Sequence, residues 1–428
     1  MNSVFPALLV RATRPSRQEF TLVKRQRRDD RCVGQDHGHA QDGERTSSRR
    51  ALSNAEPLLR RAWHPIARCA EVASEPTKAW LLGDPYVLMR IDGKVVVLED
   101  RCPHRLAPLS AGRVVDGALE CAYHGWRFDA SGSCTTVPSL GQGSRIPTKA
   151  RCGRPFAVTE RFGLVFVAPD EPIAPLPDIS AFDEPERVRV DLDPVGGRFG
   201  AGFLIDNQLD MAHFAFVHRG TFGTGEARVT PHYTVERRDW GFTVDTDIAI
   251  AAANDPDVAS GRRPLHQHRH MRYSYLAPFH VALRLDYPVM GGSNVIVFFA
   301  QPETADRSRM YVTLLFEQPG GLTASELEDR VAFERRVVGE DIALQSRFDV
   351  LELPLDTSVE CHVRADRASV EYRRILASLL DEAARARPVA RLDGSDRTSD
   401  RSPATVASPG EDSTSHPRHD RARAATAR

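Results

Sequence analysis

The sequence predicts an α+β chain of two domains, a small all-β one followed by a larger mixed one, and three observations point there. Short strand-like runs separated by turn residues fill positions 63–169. Pro172, Pro175 and Pro177 then punctuate the chain. Beyond them, helical periodicity and long apolar strands alternate, which an all-β continuation does not produce.

With 428 residues, 41% of them apolar, the chain is long enough to bury two moderate cores. Residues 1–53 are rich in Arg, Asp, Gln, Ser and Gly and offer too little burial to offset their ordering entropy, so they are expected to be a disordered extension. The first domain is placed at 57–170, with strands at 79–82, 86–91, 95–98 and 163–167 and turns at Asp92-Gly93 and Ser131-Gly132. The second is placed at 171–386. It should contain a helix near 203–218, strands at 273–276, 280–286, 295–300 and 310–316, and two closing helices. Thr323-Ala324-Ser325-Glu326 is a capping-box start for the first of these, and the second spans 364–385 before Pro388. Residues 387–428 repeat the character of the N-terminus and are expected to be a second disordered tail. No internal repeat occurs at solenoid periods.

A formal net charge of −1 gives no field that draws the chain to nucleic acid or an anionic membrane, which favours a small-molecule role. Apolar runs such as 295–300 are too short to cross a bilayer, and the opening stretch 4–10 meets Arg11 with no cleavage site. A cytoplasmic protein is expected. Seven scattered cysteines form no compact disulfide framework, so some should be reduced thiols or metal ligands.

Cys102-Pro103-His104 is followed after sixteen residues by Cys121-Ala122-Tyr123-His124. Each half offers one thiolate and one imidazole, the inventory of a [2Fe–2S] centre in which two histidines replace two cysteines on one iron. Cys102 and Cys121 would hold the inner iron, His104 and His124 the outer one. A Cys2His2 zinc site uses the same atoms, but zinc fingers segregate both cysteines into one half and both histidines into the other. Arg105, Tyr123 and Trp126 can equally be packing or tuning residues.

A second constellation runs from Asn207 through Asp210 and His213 to His218. The first three follow i, i+3 spacing and neighbour one another on a helix. His218 is about 140° from His213 on an ideal helix, so both reach one metal only if the helix is distorted, for instance by a π-bulge, or ends there. A non-haem ferrous site wants two imidazoles and one carboxylate with positions left open. Phe333, Val337, Asp341, Leu344 and Phe348 make one core-facing stripe with a single acid in it. A buried carboxylate must be paired, protonated or metal-bound, whereas Glu340 shares a face with Arg336, Ala343 and Arg347 and can stay in solvent. Core histidines and an Arg-paired aspartate are the ordinary alternative, and an iron–sulfur motif in the same chain shifts the balance toward metal ligands. His266, His268 and His270 also share a face of a possible strand, but with no acid nearby they are assigned to a polar strand face or loop.

With both constellations in view, the chain resembles the Rieske non-haem iron oxygenases over roughly residues 57–386, and among them the catalytic subunits that work without a small β subunit. Cys102, His104, Cys121 and His124 match the C-x-H…C-x-x-H cluster motif. Asp210, His213 and His218 match D-x-x-H-x(4)-H, and Asp341 matches the later carboxylate. The resemblance implies a Rieske β domain followed by a helix-grip catalytic domain. It further implies head-to-tail rings, commonly homotrimers, in which one subunit's cluster feeds its neighbour's iron, with Asp210 and Asn207 in the catalytic machinery and Asp210 bridging His213 to the neighbour's His124. Electrons would come from NAD(P)H through a separate flavin reductase, a ferredoxin, or both, since Gly291-Gly292 has no G-x-G-x-x-G setting. With O2 as co-substrate, hydroxylation or oxidative demethylation of a ring compound ranks above cis-dihydroxylation, and a pure electron-transfer protein is the remaining rival. Phe222, Phe279, Val281, Leu283, Val295, Val297 and Phe299 are expected to line the pocket.

Overall fold

A computed structural model describes residues 50–386 apart from 142, 224–227 and 253–255. The expectations for 1–49 and for the tail 387–428 lie outside the described residues. The first half runs through β1 (Ala51–Leu52), β2 (His64–Arg68), β3 (Thr77–Leu81), β4 (Asp84–Ile91), β5 (Lys94–Glu99), β6 (Arg113–Val115), β7 (Ala118–Glu120), β8 (Arg127–Phe128), β9 (Cys134–Thr136), β10 (Ala157–Arg161) and β11 (Leu164–Ala168). Three small antiparallel sheets result, ordered β3-β4-β5, β6-β7-β8-β9 and β10-β11-β2. Four of the hairpins close through two residues that both have positive φ, with glycine second: Leu82-Gly83, Asp92-Gly93, Asp116-Gly117 and Phe162-Gly163. Such turns match the right-handed twist of the strands they join. Alternation along β4 divides its side chains between two cores, Val87, Met89 and Ile91 in one and Tyr86 and Leu88 in the other.

The second half contains β12 (Val188–Asp191), β13 (Val195–Gly197), α1 (Ala201–Leu209), α2 (Phe214–Val217), β14 (Thr234–Arg238), β15 (Gly241–Ala251), α3 (Pro256–Ala259), β16 (His266–Leu276), β17 (His280–Asp286), β18 (Ser293–Thr304), β19 (Arg307–Glu317), α4 (Ala324–Gln345), β20 (Leu353–Pro354) and α5 (Arg367–Arg385). One antiparallel sheet, ordered β12-β19-β18-β17-β16-β15-β14 with β13 also on β19, forms its frame. α4 starts as expected, with Thr323 and Glu326 capping each other. α5 buries Tyr372, Ile375, Leu376 and Leu379 against the inner sheet face, where the Tyr275 and Tyr372 rings meet at 4.9 Å. No helix of the described residues is long and apolar enough to cross a membrane.

Both faces of the sheet's centre are covered. Ile296, Phe298, Leu314 and Phe316 face the helices, while Val295, Val297, Phe299, Tyr311 and Leu315 pack on Phe162, Leu164 and Phe166 from the first half. Hydrogen bonds tie the halves together at one edge: Leu82 N–H donates to Pro302 O (2.8 Å), Gly83 N–H to Glu303 O (2.9 Å), and the Gln301 side chain, through Nε2, to Trp80 O (2.7 Å). Only the inner face is therefore available to a pocket.

The expected boundary at residue 53 falls inside the fold. β1 pairs with β20, and Asn54, 3% exposed, donates through Nδ2 to Phe199 O (2.9 Å) and Ser308 Oγ (3.0 Å) while its Oδ1 accepts from Ala201 N–H at the start of α1 (2.8 Å). Two residues of strand in a polar stretch carry too little periodicity to be seen in the sequence. Asn54→Ala leaves these buried groups unpaired and is expected to destabilise the fold by about 2 kcal/mol, read as a lowered urea midpoint at unchanged slope; a midpoint equal to the parent's would remove Asn54 from this role.

Candidate metal centres

Two loops of the first half have the same backbone closure. Cys102 N–H donates to Ala107 O (2.9 Å) and Leu106 N–H to Cys102 O (2.9 Å); Cys121 N–H donates to Trp126 O (2.8 Å) and Gly125 N–H to Cys121 O (2.9 Å). Leu106 and Gly125, at equivalent places, both have positive φ (57° and 69°). Each loop thus presents a cysteine inward and, two or three residues on, a histidine outward. Cys102 and Cys121 are both 2% exposed, and the His104 and His124 rings meet edge-to-face at 4.5 Å. Nδ1 of His104 is buried with no hydrogen-bond partner. Burial, reinforced by the neighbouring Cys121 thiol, pushes the Cys102 thiol up to about 11. A thiol this reluctant to ionise becomes a thiolate when bound metal supplies the compensating charge, and the donor set fits a [2Fe–2S] cluster held by two sulfurs and two imidazoles. Trp126, whose role the sequence left open, stacks flat on the His104 ring (4.5 Å, 6°).

The second centre depends on a break in the expected helix at 203–218. α1 stops at Leu209, and Asp210 is extended (φ −85°, ψ 132°), so Asn207, Asp210 and His213 do not share one helix face. Nor does a π-bulge accommodate His218. Asp210 Oδ1 instead accepts from Ala212 N–H (2.7 Å), the self-turning hydrogen bond that makes aspartate a breaker, and a single turn, α2, separates His213 from His218. His218 has left that helix (ψ 27°) and swings back toward His213. Gly223 seals the turn: its N–H donates to His218 O (2.8 Å), and a Cβ there would lie 2.2 Å from Phe214 O.

Nε2 of His213 lies 3.1 Å from Nε2 of His218. Asp341 Oδ1 lies 3.4 Å from the first and 3.3 Å from the second, is buried, and makes no aligned hydrogen bond with either. Three lone-pair donors facing one another at these separations match ligands about 2.0–2.2 Å from a shared ion, which lie about 3.0–3.5 Å apart. Carboxylates stand behind both imidazoles: Asp210 Oδ2 is 3.3 Å from Nδ1 of His213, and Glu340 Oε2 is 2.8 Å from Nδ1 of His218 while accepting from Thr221 Oγ1 (2.9 Å). At His218 that hydrogen bond turns Nε2 inward and makes the ring a better donor, whereas Nδ1 of His213 makes no aligned bond with Asp210. Burial pushes His213 down, but Asp210 and Asp341 together outweigh it and raise its pKa to about 9. Burial likewise pushes Asp341 up, and the two imidazoles outweigh it and hold its carboxyl below the usual range. The surroundings favour positive charge between these groups, which a divalent ion supplies in place of protons.

Residues 62–152 match the Rieske [2Fe-2S] domain family, and residues 200–382 match the vanillate O-demethylase oxygenase C-terminal domain family. The chain is a Rieske-type non-haem iron oxygenase. An iron–sulfur cluster and a non-haem iron are the cofactors of that family, whose members work with a separate reductase or ferredoxin. It is 28% identical over 338 residues to methylxanthine N1-demethylase NdmA of Pseudomonas putida, covering 77% of this chain and 91% of that one. Methylxanthine N3-demethylase NdmB of the same organism is 29% identical over 336 residues, 76% of this chain and 90% of the relative. The structure of NdmA with caffeine superposes with a TM-score of 0.66 at 26% identity, covering 77% of this chain and 93% of that one. Dicamba monooxygenase bound to 3,6-dichlorosalicylic acid shares the fold, with a TM-score of 0.66 at 23% identity over 76% of this chain and 99% of that one.

Several residues of the oxygenase sit differently from expectation. Glu340 is only 22% exposed along its side chain and engages His218 rather than solvent. The buried face of α4 comprises Val331, Glu334, Val338, Asp341 and Gln345, with Leu344 exposed; because this face lines a polar centre, apolar periodicity located it one step out of phase. Asn207 Oδ1 accepts from Gln345 Nε2 (3.2 Å), and its own Nδ2 is buried without a partner at the cavity. Of the expected pocket residues, Phe222 and Leu283 line the cavity beside the histidines, joined by Ile296 and Phe298 instead of Val295, Val297 and Phe299, which point to the other half; Phe279 and Val281 belong to the surrounding core. His266 and His268 do lie on the exposed face of β16, but His270 has acids at hand, Asp247 at 3.1 Å and Asp245 at 3.3 Å. All six cysteines of the described residues are free.

Glu340→Gln keeps the shape behind His218 but removes the charge, so iron bound at the second centre is expected to weaken by about 10- to 100-fold while the cluster's visible absorption stays unchanged. Competition of the reconstituted protein against a chelator checks this, and parental iron retention in the variant would contradict it.

Proposed function

We propose that the oxygenase inserts an atom of O2 into a ring-containing, largely apolar small molecule, hydroxylating it or removing a methyl group oxidatively. The observation that carries the proposal is the inward-facing triangle of His213 Nε2, His218 Nε2 and Asp341 Oδ1 at the end of a cavity walled by Phe222, Leu283, Ile296 and Phe298. In this reading those three residues hold ferrous iron, and Cys102, His104, Cys121 and His124 hold the [2Fe–2S] cluster. When bound, the cluster supplies single electrons and the iron supplies dioxygen activation.

The chain's own residues do the rest. The apolar walls exclude water and hold a ring against the centre, while Glu340 fixes which nitrogen of His218 faces inward. Demethylation is favoured over cis-dihydroxylation because the relatives matched along most of their length, NdmA and NdmB, are named as demethylases; 3-chlorobenzoate-3,4-dioxygenase oxygenase subunit of Comamonas testosteroni matches over 46% of its own length. NAD(P)H is the electron source, through a separate flavin reductase with or without a ferredoxin. His124 lies at the surface and the Asp210 side chain is 32% exposed, as a homotrimeric ring needs if Asp210 is to accept a hydrogen bond from a neighbouring subunit's cluster histidine.

His213→Ala is expected to abolish product formation from a ring-compound panel, followed by mass spectrometry with NAD(P)H and a reductase, while leaving the cluster spectrum intact; continued turnover would remove His213 from the centre. In protein reconstituted to parental iron content, Asp210→Asn should slow single-turnover cluster oxidation by about 10- to 100-fold. A parental rate would remove the bridge.

A further inference from the structure

We infer that Arg269 is a substrate-binding residue whose guanidinium anchors a carboxylate on the ring compound, an inference that rests on the oxygenase reading and names its substrate class. Arg269 alternates inward from β16 between the outward His268 and His270, is 5% exposed, and lines the cavity that also contains His213, His218 and Asp341. The other buried arginines are ion-paired: Arg187 with Glu184 and Glu317, Arg373 with Asp206 and Glu360. Among the described residues no carboxylate stands within 4.0 Å of Arg269, and its Nε is buried without an acceptor. A buried cation left this way is costly unless something completes it.

What holds the side chain in place is aromatic. The guanidinium lies 4.6 Å over the Phe222 ring, which stacks on His218 (4.8 Å, 27°), and Tyr287 gives it a neutral hydroxyl contact. A cation over a ring face keeps its N–H edges free for an in-plane oxyanion. The anchor therefore sits one aromatic ring away from a ligand of the iron, on the wall of the same cavity. Glu334, about one turn before Val338 and two before Asp341 on the buried face of α4, lines the same cavity without coming within 4.0 Å of Arg269. Burial raises its pKa to about 7 against the opposing pull of Arg269, His218 and Arg330.

The test uses the metal-loaded oxygenase and two probes of one shape, 4-methoxybenzoate and uncharged 4-methoxybenzamide, with dissociation constants read by calorimetry. The parent protein is expected to bind the benzoate about tenfold or more tightly than the benzamide, and Arg269→Met to lose that preference while leaving the benzamide within about twofold. Arg269→Lys keeps the charge without the fork and is expected to retain part of the preference; the parent's own preference decides the matter if the methionine variant does not fold. Equal binding of the probes by the parent, binding of neither, or a preference that survives in Arg269→Met overturns the inference. Binding is read without turnover, so its failure alongside oxidation of uncharged rings removes the anchor alone, whereas benzoate binding with no oxidation of any ring compound counts against the oxygenase reading instead.

Discussion

Two imidazoles five residues apart and a carboxylate more than a hundred residues later can meet only if the backbone between the imidazoles is broken in a particular way. Asp210 makes that break. Its carboxylate accepts from the backbone at Ala212 on one side and stands behind the His213 ring on the other, so the residue that ends α1 also faces the first donor. The one-turn α2 and the Gly223 turn return His218 to the same side. α4 completes the triangle with Asp341 and, through the adjacent Glu340, fixes the second imidazole. Adjacent acids on one helix thus act on opposite edges of His218.

The sheet has to serve this arrangement on one face and the cluster-bearing half on the other. β18 and β19 are buried on both faces, with alternate residues in different cores, so a single pair of strands carries the pocket wall and the seat of the Rieske half. Hydrogen bonds from Leu82, Gly83 and Gln301 fix one half against the other. The two candidate metal centres therefore belong to one packed frame, and a buried strand between them tolerates little change in side-chain volume.

Most of the fold was legible because its signals are local. Hairpin turns, the Thr323 capping box and the long apolar strands announce themselves within a few residues, and the cluster motif concentrates its four donors in two short loops. Asp341 was legible as the single acid in an apolar stripe, although the stripe itself was out of phase because Glu334 and Gln345 hold buried positions next to a polar centre. What stayed hidden depends on the third dimension. Val295, Val297 and Phe299 cannot be told from Ile296 and Phe298 by alternation when both sets are apolar and buried. Arg269 reads as one more basic residue in a histidine-rich strand until the opposite wall of the cavity is in place. Asn54 and the short β1 act only through chain segments far away in sequence.

The claim on which everything else rests is that His213, His218 and Asp341 grip a ferrous ion separate from the cluster. Mössbauer spectroscopy of protein reconstituted with iron-57 counts both populations at once. About three irons per chain are expected, two in a [2Fe–2S] pair and one high-spin ferrous ion with nitrogen and oxygen ligands. A fully loaded protein with iron in the cluster alone would contradict it.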